Sequence, residues 1–212
     1  MARTQEQRRA DTRARLLEAA ARLFATRGID AVSVDAVADA ADRTSGAVYD
    51  HFGSKHGLVL AVLDSWKRSF LSLMSAEVAA SDDPADQLAS VWEHVGAGPE
   101  AERWALLEHE LQLRAARDPE VAAALAARAA EGRRRSAREL AGWCQAVGAR
   151  PAVGPDDLAV LVKALLSGLE LQQRAEPGSV PTTLAVRGLA ALMGLDVTPP
   201  SERRQPASAA ST

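Results

Sequence analysis

A short stretch of the chain, residues 44–52, combines small and polar side chains that are suited to contacting DNA. Thr44 or Ser45 can cap a helix there, and the apolar side of that helix is supplied by Ala47, Val48 and Phe52. This packing leaves five residues mostly uncommitted, namely Ser45, Gly46, Tyr49, Asp50 and His51. Side chains that packing leaves uncommitted on a short helix are available to contact a partner, such as DNA in the major groove.

A second short helix precedes this one and would position it. Ser33 can cap that helix through its hydroxyl, and Asp35 lies where the helix dipole favours an anion. Its apolar residues recur at helical spacing, at Val34, Val37, Ala38 and Ala41. Two short helices joined by the polar step Asp42-Arg43 predict a helix-turn-helix, although helical hairpins that bind nothing can have the same periodicity.

The residue identities narrow this interpretation. The chain carries, in order, Ala40-Ala41, Thr44-Ser45-Gly46-Ala47-Val48-Tyr49, His51-Phe52 and Ser54-Lys55. Over residues 12–64 this pattern resembles the DNA-binding signature of the tetracycline-repressor (TetR) family of bacterial transcription factors. The resemblance implies phosphate contacts by Tyr49 and Lys55, and base contacts by Thr44, Ser45 and Gly46.

Asp50, His51 and Ser33 complete the predicted DNA-binding surface. Two departures from the family pattern motivate an alternative, although Tyr49, Lys55 and the Arg-rich N-terminus support DNA binding. The family usually has Gly and then an apolar residue in the turn, where this chain has Asp42-Arg43. Asp42 can adopt a left-handed conformation at some cost, whereas Arg43 replaces a side chain that would normally fill the core. Asp50 also brings negative charge toward phosphates, although a carboxylate can accept a hydrogen bond from cytosine. The alternative is a helical interaction or ligand-sensing module with weak or lost DNA binding.

Composition favours an all-helical protein whose contacts with nucleic acid are local. The 212 residues are 47% hydrophobic and 4% aromatic, and Ala and Leu are abundant. A net charge of -3 excludes a generally polycationic binder. Residues 1–27 nevertheless carry seven Arg and three acidic residues, a net charge of +4, whereas residues 28–56 carry two basic residues and five Asp, a net charge of -3.

The basic residues at the N-terminus predict an arm over residues 1–11 that is mobile without a partner. Arg8 and Arg9 would lie beside phosphates and release counterions, unless the arm is a plain solubilising tail. From Asp11 or Thr12 onward, apolar residues on one face predict a helix that ends before Gly28. This helix would complete a three-helix DNA-binding domain over residues 1–53.

Downstream, the pattern predicts helices only. A long helix from about Ser54 to Ala80 would join the small domain to a second core. Proline residues near helix starts then predict helices over about 84–96, 99–117, 119–147, 155–175 and 182–194. We therefore predict an all-α protein of about nine helices, with a regulatory and dimerisation domain over residues 54–195 and a disordered tail over residues 196–212.

The last two helices are candidates for assembly. Apolar residues cover more than one face of the helix over 155–175, so it should contact both its own core and another surface. Dimers of the family pair the last two long helices of each subunit, which implies a homodimer and a near-palindromic DNA operator. Burial of both helices within a monomer is the alternative. The predicted interface comprises Leu158, Leu161, Leu165, Leu169, Leu184 and Leu192.

Aromatic and polar residues of the middle helices are candidates for a small-molecule site, because in the family an effector binds there and releases DNA. The candidates are Trp66, Phe70, Trp92, Trp104, Glu108 and Trp143. They would suit a partly apolar molecule with one polar group. Alternatively, the Trp residues belong to the ordinary core, and Glu108, Glu110 and Arg114 are members of i,i+4 ion pairs on a solvated face.

The sequence lacks motifs for catalysis or metal binding. It has no Gly-rich phosphate loop, no His-Glu-x-x-His pair and no nucleophile elbow. Glu108, His109 and Glu110 diverge around a helix, and Cys144 is better explained as a core residue than as a nucleophile. We predict no enzymatic activity, no metal and no cofactor. With one cysteine and no apolar run long enough to span a membrane, we expect a cytoplasmic protein.

Overall fold

The computed structural model describes residues 4–96 and 98–203, without the side chains of residues 69–75, 77, 96, 98–100, 102, 103, 201 and 203. The described residues form nine helices, one final helical turn and no strand, which confirms the predicted all-α fold. None of these helices is long and apolar enough to cross a membrane. In chain order they are α1 (Gln5–Arg27), α2 (Val34–Ala40), α3 (Ser45–Phe52), α4 (Lys55–Val78), α5 (Pro84–Gly96), α6 (Gly98–Ala115), α7 (Pro119–Val147), α8 (Pro155–Ala175), α9 (Thr182–Leu192) and α10 (Pro200–Arg203).

Proline marks the starts of the later helices, as predicted. A proline is the first residue of α5, α7 and α8, the second residue of α6 and the N-cap residue of α9. Proline suits these places because the first N–H groups of a helix have no partner within the helix. Asp83 adds a side-chain cap to α5, since its Oδ1 accepts a hydrogen bond from the Ala85 N–H at 2.8 Å.

The first helix begins earlier than predicted. α1 starts at Gln5, inside the predicted mobile arm, because Thr4 and Gln7 form a capping box. The Thr4 N–H donates to Gln7 Oε1 at 2.9 Å, and the Gln7 N–H donates to Thr4 Oγ1 at 3.2 Å. Arg8 and Arg9 are therefore exposed residues of a capped helix and not of a flexible tail.

The chain divides into two compact units, each formed by two segments that are separate in the sequence. The first unit comprises Met1–Phe70 and Pro99–Ala127, and the second comprises Leu71–Gly98 and Arg128–Thr212. The first unit therefore includes α6 and parts of α4 and α7 in addition to the three N-terminal helices. Two of the three unit boundaries fall inside α4 and α7, and the third follows Gly98, the first residue of α6.

The core of the first unit holds α3 in place. Apolar side chains of α1, α2 and α3 pack with residues of α4 and α6 into one buried cluster. Full burial of one large aliphatic or aromatic side chain contributes roughly 1.5–3 kcal/mol. The largest contributors that are fully buried include Leu16, Phe24, Val37, Val48, Leu58, Leu63 and Leu111.

Arg43 supports the turn between α2 and α3, in which Asp42 adopts a left-handed conformation. Asp42 has φ of 55°, the left-handed conformation that an aspartate can adopt at some cost. Arg43 does not leave the turn unsupported, because its Nη1 donates to the Asp42 carbonyl oxygen at 2.6 Å. Its Nε also donates to Thr12 Oγ1 at 3.4 Å, which ties the turn to α1.

We expect Asp42→Gly to stabilise the protein by up to about 1 kcal/mol, because glycine adopts this left-handed conformation without the clash of a Cβ. Chemical denaturation of the two proteins would measure the difference. Asp39→Gly, inside α2, is the matched control and should be neutral or destabilising. Equal stabilisation by both substitutions would show that backbone strain at Asp42 is not the cause.

The second unit is built on α5, α8 and α9. Trp143 of α7 packs against this core, and its Nε1 donates to Gln87 Oε1 at 2.6 Å. The Glu170 side chain is buried but accepts a hydrogen bond from Arg174 Nε, so its charge is paired. The buried core residues include Leu88, Ala89, Leu158, Val186, Leu189 and Met193.

The chain after Asp196 differs from the predicted disorder over its described part. Val197 packs against the core of the second unit, and Pro199 is buried. Glu202 of α10 forms an ion pair with Arg187 of α9 at 2.8 Å. These apolar and ionic contacts, which composition alone does not reveal, explain the order of residues 196–203. The rest of the predicted tail, residues 204–212, lies outside the described residues.

Candidate nucleic-acid interface

α3 has one buried side and one open side. Val48 is fully buried in the core of the first unit, whereas Tyr49 is 53% exposed. Thr44 caps the helix, because its Oγ1 accepts a hydrogen bond from the Ala47 N–H at 3.4 Å. The Thr44 hydroxyl therefore fixes the start of α3 and still has a proton to donate. The open side presents Gly46, Tyr49 and Asp50, all exposed and all predicted to contact DNA.

The start of α2 is linked to the start of α3. Ser33 caps α2, as predicted, because its Oγ accepts a hydrogen bond from the Ala36 N–H at 3.0 Å. Ser45, the first residue of α3, donates its hydroxyl proton to Asp35 Oδ1. The sequence predicted only a helix-dipole role for Asp35, since no local pattern connects residues ten positions apart.

Lys55 is the first residue of α4, and the start of α4 lies close to the end of α3. Ser54 caps α4, as predicted, because its Oγ accepts a hydrogen bond from the Gly57 N–H at 3.0 Å. A Cβ at Gly57 would lie 2.0 Å from the carbonyl oxygen of Phe52, so only glycine permits this approach. Gly57 was not among the predicted site residues, although a glycine inside a helical pattern is itself a signal of close packing.

Basic residues of α1 lie near the end of α3. The Arg13 guanidinium is 5.3 Å from the centroid of the Phe52 ring, a cation–π contact worth about 0.5–1 kcal/mol at an exposed site. The charges of Arg9 and Arg13 both act on His51. The predicted basic arm is therefore part of a helical surface next to α3, and Arg13 joins the residues that the sequence interpretation selected.

Part of the negative charge in this region is paired. Asp30, between α1 and α2, pairs with Arg114 of α6, and that hydrogen bond lowers the pKa of Asp30. Asp42 and Arg43 are 3.8 Å apart, and Asp35 accepts the Ser45 hydroxyl. Two of the five Asp residues in this region thus have an arginine partner, which partly offsets the predicted repulsion of phosphates, whereas Asp35 keeps its charge because its partner is a neutral hydroxyl.

His51 adds no positive charge near pH 7. Burial lowers its pKa, and the positive charges of Arg9 and Arg13 lower it further, while Asp50 raises it. The imidazole is therefore neutral and can take part in hydrogen bonds, but it cannot attract phosphates as a cation.

We expect His51→Gln to leave the salt dependence of DNA binding unchanged at pH 7.5, because the substitution removes no charge.

Since folding lowers the pKa of His51, the unfolded chain binds more protons as the pH falls below the ordinary His value of about 6.5. This contribution to stability is therefore present above pH 6.5 and lost on acidification. Denaturation at pH 7.5 and pH 5.5 should show a smaller pH effect in the Gln variant, and an identical effect would contradict the assignment.

The predicted small-molecule residues divide between the two units. In the first unit, Trp66 stacks on the buried Trp104, with ring centroids 5.8 Å apart. In the second unit, Trp92 is buried beside Val180 and Ala185, and the Trp143 indole N–H donates a hydrogen bond to Gln87. The side chain of Phe70 lies outside the described residues.

The polar residues of α6 partly follow the ion-pair alternative. Glu110 forms an ion pair with Arg114 at 3.3 Å. Glu108, which lies between Trp104 and Glu110 in the sequence of α6, is half-buried. A surface depression of about 380 Å³ in the first unit is lined by Asp30, His56, Glu110 and Arg114, among others. None of the six predicted small-molecule residues lines it.

The predicted assembly residues differ in their accessibility. Leu158 is 1% exposed, because it lies on the side of α8 that packs into the core of the second unit. It is not available to a partner, so this part of the predicted interface is wrong. Leu161 and Leu184 are 40% and 49% exposed, respectively. The remaining predicted residues, Leu165, Leu169 and Leu192, are half-buried.

Cys144 lies in the core of the second unit, as predicted. Burial raises the pKa of its thiol, which keeps it protonated and therefore weakly nucleophilic. Within the part of the chain that the structure describes, no three His, Cys, Asp or Glu residues are grouped so that they could hold a metal ion.

The capped, two-helix arrangement with one open side is that of a helix-turn-helix, the motif whose second helix enters the major groove in DNA-binding proteins. A sequence profile described as "Bacterial regulatory proteins, tetR family" matches residues 16–62, which cover α2, α3 and parts of α1 and α4. The transcriptional regulator TtgR of Pseudomonas putida is 38% identical over 88 residues, which are 42% of this chain and 41% of TtgR. The transcriptional repressor KstR2 of Rhodococcus jostii is 49% identical over 51 residues, 24% of this chain and 25% of KstR2.

Solved structures extend the similarity over most of the fold. A Rhodococcus sp. protein described as a TetR-family transcriptional regulator has a TM-score of 0.66 at 25% identity, covering 87% of this chain and 99% of that chain. The multidrug binding protein EbrR, solved with imidazole, has a TM-score of 0.64 at 28% identity, covering 88% and 92%. Together these findings show that residues 16–62 resemble the DNA-binding segment of TetR-family regulators and that the helical fold is shared with solved proteins of that type. The matched sequence relatives are regulators, a class without enzymatic activity, and the matched segment spans less than half of their length.

Proposed function

We propose that the chain is a cytoplasmic transcriptional repressor that binds a near-palindromic operator as a homodimer. In this proposal α3 enters the major groove, and a small-molecule effector releases the DNA. The observation that carries the proposal is the open side of α3, where Tyr49 is exposed on a capped helix that ends three residues before Lys55. Arg8 and Arg9 would add phosphate contacts from α1.

A salt-titrated binding assay on DNA from directly upstream of the chain's own gene tests this proposal. A specific complex that weakens with increasing salt is the expected result, because phosphate neutralisation releases counterions. Failure to form a specific complex at any salt concentration would favour the second candidate, a helical interaction or ligand-sensing module that has lost DNA binding. The exposed Asp50 is the observation that motivates this second candidate.

The proposed dimer uses the exposed apolar surface of α8 and α9. Leu161 and Leu184 are large apolar residues that a monomer would leave in water. Gly188 supports the close packing of the two helices, because a Cβ there would lie 3.3 Å from Leu165 Cδ2. Two copies that cover this surface around a two-fold axis would present two α3 helices to DNA.

We expect Leu184→Glu to convert the dimer into a monomer at micromolar concentration, because the interface would then bury an unpaired charge. Sedimentation velocity of the wild type and the variant would measure this. Leu113→Glu, which alters an exposed leucine of α6, is the matched control and should leave the protein dimeric. A wild-type species of 22.4 kDa would contradict the dimer itself.

The proposed effector site lies in the first unit and involves Trp66, Trp104 and Glu108. The stacked pair of Trp66 and Trp104, with the half-buried Glu108 four residues after Trp104 on α6, suits a partly apolar molecule with one polar group. The similar protein EbrR forms a complex with imidazole, which supports a small organic effector here. A thermal-shift screen should find a compound that both stabilises the protein and releases DNA, and the lack of such a compound would remove the effector from the proposal.

A further inference from the structure

The hydrogen bond between Ser45 and Asp35 has a defined direction. A carboxylate carries no proton to donate, so the Ser45 hydroxyl is the donor and Asp35 Oδ1 is the acceptor. Ser45 is the first residue of α3, the end of a recognition helix whose residues contact base edges in helix-turn-helix proteins. Asp35 is exposed in the first turn of α2 and Ser45 is half-exposed, so the bonded pair lies at the surface.

This direction determines what Ser45 can offer to a base. A serine hydroxyl has one proton and two lone pairs, so a hydroxyl that has donated its proton can only accept. The second carboxylate oxygen of Asp35 can also only accept. The start of α3 therefore presents acceptors and no side-chain donor at Ser45, although an isolated serine can contact any base.

Base edges in the major groove differ in the groups that such a surface can bind. Cytosine offers the N4 amino group and adenine the N6 amino group as donors. Guanine offers the N7 and O6 acceptors, and thymine offers the O4 acceptor and a methyl group. Opposite an acceptor surface, guanine and thymine would place lone pairs against lone pairs and leave both groups without a partner.

We propose that Asp35 is a specificity-determining residue, which holds Ser45 as a hydrogen-bond acceptor and so selects adenine or cytosine over guanine or thymine at one position of each operator half-site. This inference rests on the proposed binding of DNA through α3. The preference should be on the order of tenfold per half-site position, the lower part of the range for one discriminating base contact.

A double-substitution experiment separates this role from a structural one. Binding of the full-length dimer would be measured on the operator duplex, with every position of the protected site changed in turn to each of the four bases. Asp35→Ala should relax the preference at one position per half-site, because the Ser45 hydroxyl can then donate to guanine or thymine. Ser45→Ala should also relax it. In the Ser45→Ala background, Asp35→Ala should cause no further change at that position, because its effect acts through Ser45.

Asp39→Ala is the matched control, since it removes another exposed carboxylate from the same short helix without touching Ser45. It should alter affinity on all sequences and leave base preference unchanged. Replacing the preferred adenine by purine, or the preferred cytosine by 2-pyrimidinone, removes the amino group and should weaken wild-type binding about as much as the disfavoured bases do. Thermal unfolding would confirm that each variant is folded.

Three results would overturn the inference. Asp35→Ala could leave the preference unchanged while lowering the unfolding temperature, which would mean that the bond only joins α2 to α3. It could change the preference equally in the presence and absence of the Ser45 hydroxyl, which would mean that Asp35 reads the base directly. A wild-type chain without any specific complex would refute the proposed function together with this inference, whereas the first two results leave DNA binding intact.

Discussion

Gly57→Ala should destabilise the first unit by more than about 2 kcal/mol and abolish specific DNA binding. The added Cβ would lie 2.0 Å from the carbonyl oxygen of Phe52, where a backbone atom has to move. Such a shift separates the end of α3 from the start of α4, and with it Tyr49 from Lys55. Chemical denaturation and a DNA-binding assay on the same preparation would measure both effects.

Gly142→Ala is the matched control for this substitution. Gly142 also lies inside a long helix, but a Cβ there would have no neighbour within 4 Å. Alanine is the better helix former, so this variant should be as stable as the wild type or more stable by up to about 1 kcal/mol. If Gly57→Ala proved equally harmless, the close approach of α3 and α4 would not be what positions the interface.

Lys55→Ala should weaken DNA binding on all sequences, on the order of tenfold or more for a dimer, without changing base preference. A phosphate contact is electrostatic and independent of sequence, so its loss should lower the slope of log affinity against log salt by about one per contact, or about two per dimer. Binding titrations at several salt concentrations on specific and unrelated duplexes would measure the slope.

Lys163→Ala provides the control for net charge, because Lys163 is an exposed lysine of α8 in the second unit. It removes the same charge from the chain and should leave the salt slope unchanged. Tyr49→Phe should also weaken binding on all sequences, since it removes only the hydroxyl that can donate to a phosphate. A salt slope for Lys55→Ala equal to that of the wild type would show that Lys55 makes no phosphate contact.

The sequence predicted the helices well because their signals are local. Capping residues and prolines near helix starts act within one turn, so the caps at Ser33 and Ser54 and the starts of α5, α7 and α8 were all found from sequence. The start of α1 was missed because the basic residues of the N-terminus suggested an arm, although Thr4 and Gln7 carry the signature of a capping box.

The contacts that connect the helices of the candidate interface were not predicted from the sequence, and the DNA-binding roles of its residues remain predictions. The hydrogen bond between Ser45 and Asp35, the stacking of Arg13 on Phe52 and the ion pair between Asp30 and Arg114 each join separate helices. Residues so far apart in the chain come into contact only when the core forms. Helical periodicity does not indicate which helix faces pack against each other. Leu158 was misassigned for the same reason, because the sequence does not show which of the two apolar faces of α8 packs into the core.

The most direct test of the proposed function is a nuclease footprint of the full-length chain on its own upstream DNA. We expect two protected half-sites related by two-fold symmetry, with centres about one helical turn (~34 Å) apart or somewhat more. Lys55→Ala should lose both protected regions at the same protein concentration. A single unsymmetrical protected site, or no protection under conditions where the protein is folded, would contradict the proposal that two α3 helices bind a near-palindromic operator.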